Sequence, residues 1–400
     1  MRMEMKLRKL LPLAGAFCTL AFASAFANSG SNCPQKPSQC EPYTPPAAPE
    51  SCEPKCSNVP MGTYKRGTFR EITPNAGPRV CHGADVFITA NFIWWKAVQD
   101  GLRYASSGVG GNTTAAAPFA SVGSGTNKSV GEDWAPGFKV GLGLALSHDG
   151  WDLYAQYTWL HAYDSSSINT TLSGGLAANY AGNSGQTNNS PFINADSAKA
   201  KWNLRFNVID FEIGRNFYLS QYLTMRPFAG LKGTWQDQDI RFRYNSGSFT
   251  IPGVPTNATG PYRVHNHVDT WGIGIRGGFN LGWYLAKEWS IQTNFAWTTM
   301  WANYDDLKRN DTLDDRATGN SSRRANINNN SWYTVKYIGE MEIALRWETW
   351  FYDDNYHFAI QAGWENQVWI NWGQVPVVYQ QQTEHDLTLH GLNLKFRFDF

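Results

Sequence analysis

From Asp85 onward the chain alternates apolar and polar residues in runs of ten to twenty. That is the period of a β-strand whose two faces meet different media. The clearest run spans residues 332–351. Tyr333, Val335, Tyr337, Met341, Ile343, Leu345 and Trp347 fall on one face, and Lys336, Glu340, Glu342, Arg346 and Glu348 on the other. The run 387–400 repeats the plan: Leu392, Leu394, Phe396, Phe398 and Phe400 alternate with Asn393, Lys395, Arg397 and Asp399.

The spacing predicts ten strands. They lie at 85–96, 136–146, from 151, from 202, 222–240, 267–283, 289–302, 332–351, 356–372 and 387–400. In the fourth, the apolar phase passes from Trp202, Leu204, Phe206 and Val208 to Ile209, Phe211 and Ile213, which predicts a β-bulge near Val208 and Ile209. Short turns follow the even strands, and long loops rich in Gly, Ser and Asn follow the odd ones. This is the rhythm of an antiparallel transmembrane β-barrel with short periplasmic turns and long extracellular loops. A soluble β-sandwich has no reason to alternate its loops so. The expected fold is therefore an all-β barrel of about ten strands, or twelve or more if 101–106 and 162–198 hide a further pair.

The N-terminal region changes the picture only by adding a route to that membrane. Arg2, Lys6, Arg8 and Lys9 precede an apolar run, and Ala25-Phe26-Ala27 offers a cleavage site, so 1–27 is expected to be a signal peptide. Residues 28–84 are rich in Cys and Pro and are expected to be an irregular periplasmic segment. They hold Cys33, Cys40, Cys52, Cys56 and Cys81, and no cysteine follows. An oxidising periplasm favours disulfides, and the odd number leaves at least one thiol free or joined to another chain, an envelope protein or a second copy. Aromatic residues make up 14% of the chain, against 17% charged, as interfacial girdles require. A net charge of +1 gives no reason to expect nucleic acid as a partner.

The inward faces carry the candidate functional residues. The basic ones are Lys139, Arg205, Arg226, Lys232, Arg276, Lys336, Arg346, Lys395 and Arg397; the acidic ones are Asp152, Asp210, Glu212, Glu340, Glu342, Glu348, Glu365 and Asp399. Signs this evenly balanced predict a paired network that braces the barrel; a strongly selective pore would show an excess of one sign. Ten strands leave room for a narrow passage at most. No nucleophile elbow, phosphate loop or metalloprotease motif is present, so no catalytic residue, cofactor or metal is assigned. Glu340 and Glu342 share a face, but Lys336 and Arg346 share it too, and His265 and His267 read as exposed histidines at a loop edge.

Several blocks together resemble the Legionella-type major outer-membrane protein family, which also occurs in environmental Chlamydiae. They are Asn91-Phe92-Ile93-Trp94-Trp95-Lys96, Trp151-Asp152-Leu153-Tyr154, Gly214-Arg215-Asn216-Phe217-Tyr218, Arg226-Pro227-Phe228-Ala229-Gly230 and Leu345-Arg346-Trp347-Glu348-Thr349-Trp350. The resemblance covers about 85–400. It implies a pore-forming outer-membrane protein without catalytic residues, passing small hydrophilic solutes by diffusion. The alternative is a plugged structural or adhesive barrel whose loops meet a host or phage. Outer-membrane lipid and the barrel-assembly machinery are the expected partners, with Phe396, Phe398 and Phe400 as the assembly signal.

Overall fold

The computed structural model describes residues 75–78, 80, 85–107, 125–146, 150–171, 175–180, 194–249, 258–314, 319–375 and 383–400. The expected signal peptide, nearly all of the 28–84 segment and all five cysteines after residue 27 lie outside them.

The strands in chain order are β1 (Val86–Gln99), β2 (Arg103–Ser107), β3 (Asn127–Ser129), β4 (Trp134–Ala145) and β5 (Trp151–Asn169). Then come β6 (Leu176–Ala178), β7 (Asn194–Ala195), β8 (Ser197–Arg215), β9 (Phe217–Tyr218), β10 (Leu223–Phe249) and β11 (Ala258–Tyr284). The last are β12 (Trp289–Asp314), β13 (Ser321–Asn329), β14 (Trp332–Phe351), β15 (Tyr356–Val375) and β16 (Thr383–Asp399). Ten of them close a ring in the order β1, β4, β5, β8, β10, β11, β12, β14, β15, β16. Every neighbouring pair is antiparallel, and β16 returns to β1 with Phe92 opposite Leu394. Closure leaves no unpaired edge in lipid, which is what a membrane requires of a sheet.

The extra pair suspected in 101–106 and 162–198 exists but does not enter the ring. β2, β3, β6 and β7 form a separate small sheet. The ring strands also outrun their predicted ends: β10 and β11 each have 27 residues, and β12 runs on to Asp314 and folds back as β13.

Two aromatic belts mark the membrane. Trp271, Trp301 and Tyr333 meet on the outer surface, with ring centroids 4.8 to 6.3 Å apart. Near the short turns, Trp283, Trp289 and Tyr222 form the lower belt. Twelve residues separate Trp271 from Trp283 on one strand. At ~3.3 Å per residue and a tilt of about 40° they span about 30 Å, a hydrocarbon thickness. Exposed apolar side chains fill the band between, among them Leu231, Ile273, Ile275, Phe295, Met341, Ile343 and Leu345.

The bulge expected at Val208 and Ile209 is absent: β8 keeps unbroken register there with both β5 and β10. Trp202, Leu204, Phe206 and Val208 point inward and are buried, whereas Ile209, Phe211 and Ile213 point outward. The backbone alternation never slips. What changes is the medium: the strand passes from a region with an apolar interior into one with an apolar exterior. Register shifts do occur at Asp269/Thr270 and between Trp369 and Gly373. The second lets Trp369 and Trp372, an odd number of residues apart, both point inward.

Candidate functional site

The interior has two storeys. The lower one, level with the membrane, holds the charges, because strands with apolar outer faces must turn their polar side chains inward. At the periplasmic end the buried His357 lies 2.6 Å from Asp399 and 3.7 Å from Glu348. Arg397 pairs with Asp399 and Arg346 with Glu348. Above them runs a continuous chain of ion pairs. Arg226 meets Asp152 at 2.5 Å and Glu212 at 3.0 Å. Arg276 bonds Glu212, and Glu340 at 2.7 Å. Lys232 closes the chain between Glu340 (2.7 Å) and Asp210 (2.8 Å). Lys232 and Glu340 stand on strands three places apart in the ring. On the far wall Lys139 donates to both oxygens of Glu365, 2.6 and 2.7 Å away and also three strands distant. Asn393 donates to Glu342 and Glu365 and accepts from Asn91. Pairs reaching across three strands tie opposite parts of the wall together, and each charge in these pairs has the partner that burial demands.

The upper storey is apolar inside. Phe206 on β8 and Trp369 on β15 lie five places apart in a ring of ten, on opposite walls, yet their ring centroids are 5.3 Å apart. Trp372 donates from Nε1 to Gln236 across the barrel at 2.8 Å, and Tyr304 donates to the Trp372 carbonyl. The small sheet β2–β3–β6–β7 caps this core. Tyr244 donates to the Tyr104 carbonyl, Tyr180 stacks on Phe242 at 4.3 Å, and Arg309 donates to the Tyr180 carbonyl. Leu102, Tyr104, Ala105, Leu176, Ala178 and Ala195 of the cap are buried with Trp95, Trp202, Ile240 and Tyr262 of the wall.

Outside the upper storey the surface is polar. Asp237 and Asp239 on β10 face Asp269 and His267 on β11. His265 lies 2.7 Å from Asp239, and His267 lies 3.4 to 3.8 Å from Asp237, Asp239 and Asp269. The carboxylates of Asp239 and Asp269 push the His267 imidazole up to about 10. His265 and His267 hold Asp239 well below the usual carboxylate range. The ligand atoms of Asp237, His267 and Asp269 come within 4.8 Å of one another, close enough to share a cation, and the imidazolium already plays that part.

Residues 78–400 match the model of a family described as Legionella pneumophila major outer membrane protein precursor. The chain belongs to this family. No curated protein matches it. Among solved structures, the outer membrane protease OmpT from Escherichia coli overlaps it with 9% identity and a TM-score of 0.37, covering 80% of this chain and 98% of that one. The P. putida toluene transporter TodX does so with 9% identity and a TM-score of 0.28, over 80% and 90%. A Pseudomonas aeruginosa FadL homologue follows with 11% identity and 0.28, over 79% and 89%. Likenesses this loose carry no argument about function.

In this Legionella-type outer-membrane protein the predicted lumen residues mostly face inward. Lys139, Asp210, Glu212, Lys232, Arg276, Lys336, Glu340, Glu342, Glu348 and Glu365 are buried. Arg226, Arg346, Lys395 and Arg397 are largely covered. Lys336 sits apart from the main chain of pairs, on Glu384 at 3.1 Å, and Lys395 lies over the Tyr154 ring at 5.6 Å. Arg205 is a correction. Its side chain is 54% exposed and points outward toward Asp237, because at that height the outer face is the polar one. Phe396 faces lipid, Phe398 stacks beside Tyr356, and Phe400 exchanges backbone hydrogen bonds with Val86. Sequence reasoning missed His357, Asn91 and Asn393, and the aromatic closure by Phe206, Trp369 and Trp372. The reversed apolar phase of Trp202 to Val208 was the visible signal of that closure.

Proposed function

We propose that this outer-membrane barrel is plugged, and that it braces the envelope and holds a rigid rim of extracellular structure above the membrane. The observation that carries this reading is the contact between Phe206 and Trp369 from opposite walls, at 5.3 Å. Rings that close leave no water-filled path at their level. The balanced ion pairs beneath suit a brace, since paired charges on opposite walls resist deformation while offering no net field to a permeant ion. No residue is assigned a catalytic role.

Single-channel recording on the folded protein in a planar bilayer tests the proposal. The expected result is no steady conductance; steady channels from the wild-type protein overturn it. A second reading, passive diffusion of small hydrophilic solutes, is favoured by the charged lining of the lower storey and by the cap's standing outside the ring of strands. On that reading the aromatic closure is a gate. Replacing Phe206 and Trp369 together by Ala then gives conductance that the wild-type protein opens only intermittently.

A further inference from the structure

The outward face of the upper storey carries a concentration of positive charge that is only partly neutralised among the described residues. Antiparallel register puts Lys199 of β8 opposite Arg243 of β10, and Arg243 opposite Arg263 of β11. One strand further, Arg263 faces Thr312, and Thr312 faces Arg323. Two residues lower, Lys201 stands opposite Arg241. All six basic side chains are exposed. Like charges directly opposite on neighbouring strands repel and destabilise the pairing. Some carboxylates answer them: Arg263 meets Asp314 at 2.5 Å, and Arg241 lies 3.8 Å from Asp239, which His265 and His267 already share. Among the described residues Arg243 finds only the Asn245 amide oxygen, at 3.3 Å. Lys199 and Lys201 have no ion-pair partner among the described residues. Residues 170–195 and 246–261 contain no acidic residue.

The position of the patch selects its partner. Arg241 and Arg243 follow Trp235, whose cross-strand neighbour is the belt residue Trp271, by six and eight residues, which is about 15 to 20 Å above the outer belt at strand rise and tilt. The side chains point radially, along the plane of the membrane. Whatever lies beside them at that height is the headgroup layer of the surrounding outer leaflet. We propose that this patch is a docking site for a phosphorylated glycolipid whose headgroup oligosaccharide rises to that level. Guanidinium groups would take phosphate oxygens in two-point hydrogen bonds, and the two lysines would act as point charges. The patch would thus hold a shell of lipid against one side of the barrel.

The folded protein in phosphatidylcholine vesicles tests this, with rough-type lipopolysaccharide bearing a phosphorylated inner core as the probe. Binding is expected for the wild-type protein, to weaken as salt screens the exposed charges, and to fall at least tenfold when the probe is stripped of phosphate. The variant combining Lys199→Glu, Arg243→Glu and Arg263→Glu should lose binding by a similar factor. The neutral variant combining Lys199→Gln and Arg243→Gln should lie between. Lys287→Glu, in a periplasmic turn, should bind as the wild-type protein does. Heat-modifiable migration on a gel verifies that each variant is folded. Equal binding of native and phosphate-stripped probe, or undiminished binding by both the charge-reversed and the neutral variants, overturns the proposal. Capture of the wild-type protein by a soluble sulfated glycan, without binding to the phosphorylated lipid, overturns it in favour of a partner that approaches from the medium.

Discussion

The lower and upper storeys are built from the same strands and have opposite polarity. In the membrane, Ile343 and Leu345 of β14 point out while Glu340 and Glu342 point in. Above it, Arg241 and Arg243 of β10 point out while Ile240, Phe242 and Tyr244 point in. The alternation of side chains is continuous from one to the other. Each storey buries its apolar residues against whatever is not water, which is lipid outside the lower one and protein inside the upper one. A strand that crosses the boundary therefore inverts its hydrophobic pattern without any change in backbone geometry, as β8 does between Val208 and Ile209.

Breaking the interior of either storey should give the largest effects, by different mechanisms. Trp369→Ala opens a cavity in the upper core and should lower the unfolding free energy by about 3–5 kcal/mol, measured by denaturant unfolding in vesicles. Glu340→Ala leaves Lys232 and Arg276 of the lower storey without their shared carboxylate, and should cost about 3–5 kcal/mol in the same measurement. Lys232, the partner of Glu340, also lies 6.0 Å from the centre of the Trp369 ring, so the storeys touch at this point and the double variant should depart from the sum of the two losses by about 0.5 kcal/mol or more.

The outer face sharpens the contrast. Ile343→Lys places a charge in the lipid band and should cost about 2–4 kcal/mol. The converse change on the same face higher up, Lys201→Ile, should alter stability by no more than about 0.5 kcal/mol. Equal costs at the two sites would mean that the boundary drawn at the outer aromatic belt is wrong.

A small effect that depends on pH belongs to the ladder of Asp237, Asp239, His265, His267 and Asp269, with Lys308 beside it. The folded value of His267 is raised, so its contribution is fully present below the ordinary histidine value of about 6.5. It declines as pH rises and is lost as pH passes about 10. Asp239 is depressed, so its contribution holds above the ordinary value of about 3.9 and disappears as pH falls. His267→Gln should therefore cost about 1 kcal/mol or less near neutrality, and the difference from wild type should close toward pH 10.

The lower storey was legible in the sequence and the upper one was not. Strand β14 shows why: Tyr337, Met341, Ile343 and Leu345 alternate with four charges, and lipid admits one orientation only. The upper parts of β10, β11 and β12 read as loops because their exposed positions hold Asn, Asp, Arg and Lys, and a polar outer face removes the membrane signature. At Val208 and Ile209 two apolar phases meet, which fits either a slipped register or a change of surroundings, and sequence has no term for surroundings. The individual ion pairs were also hidden. Which residues are near enough to pair across three strands, as Lys139 and Glu365 do, depends on the stagger of the whole ring. Arg205 was misplaced for the same reason as the bulge.

The seam between β1 and β16 governs the order of events in time. Phe87 pairs with Asp399, and some three hundred residues lie between them. Hairpin neighbours such as β14 and β15 meet across a four-residue turn and can form while the rest of the chain is still loose. The seam cannot, because its loop-closure entropy is met only after eight intervening strands have already lined up. Until then β1 and β16 each present an open edge, in the one solvent that offers those amides nothing to bond. Folding of this barrel is therefore slow at its last step, and the unsealed intermediate is the species most exposed to mispairing with another chain.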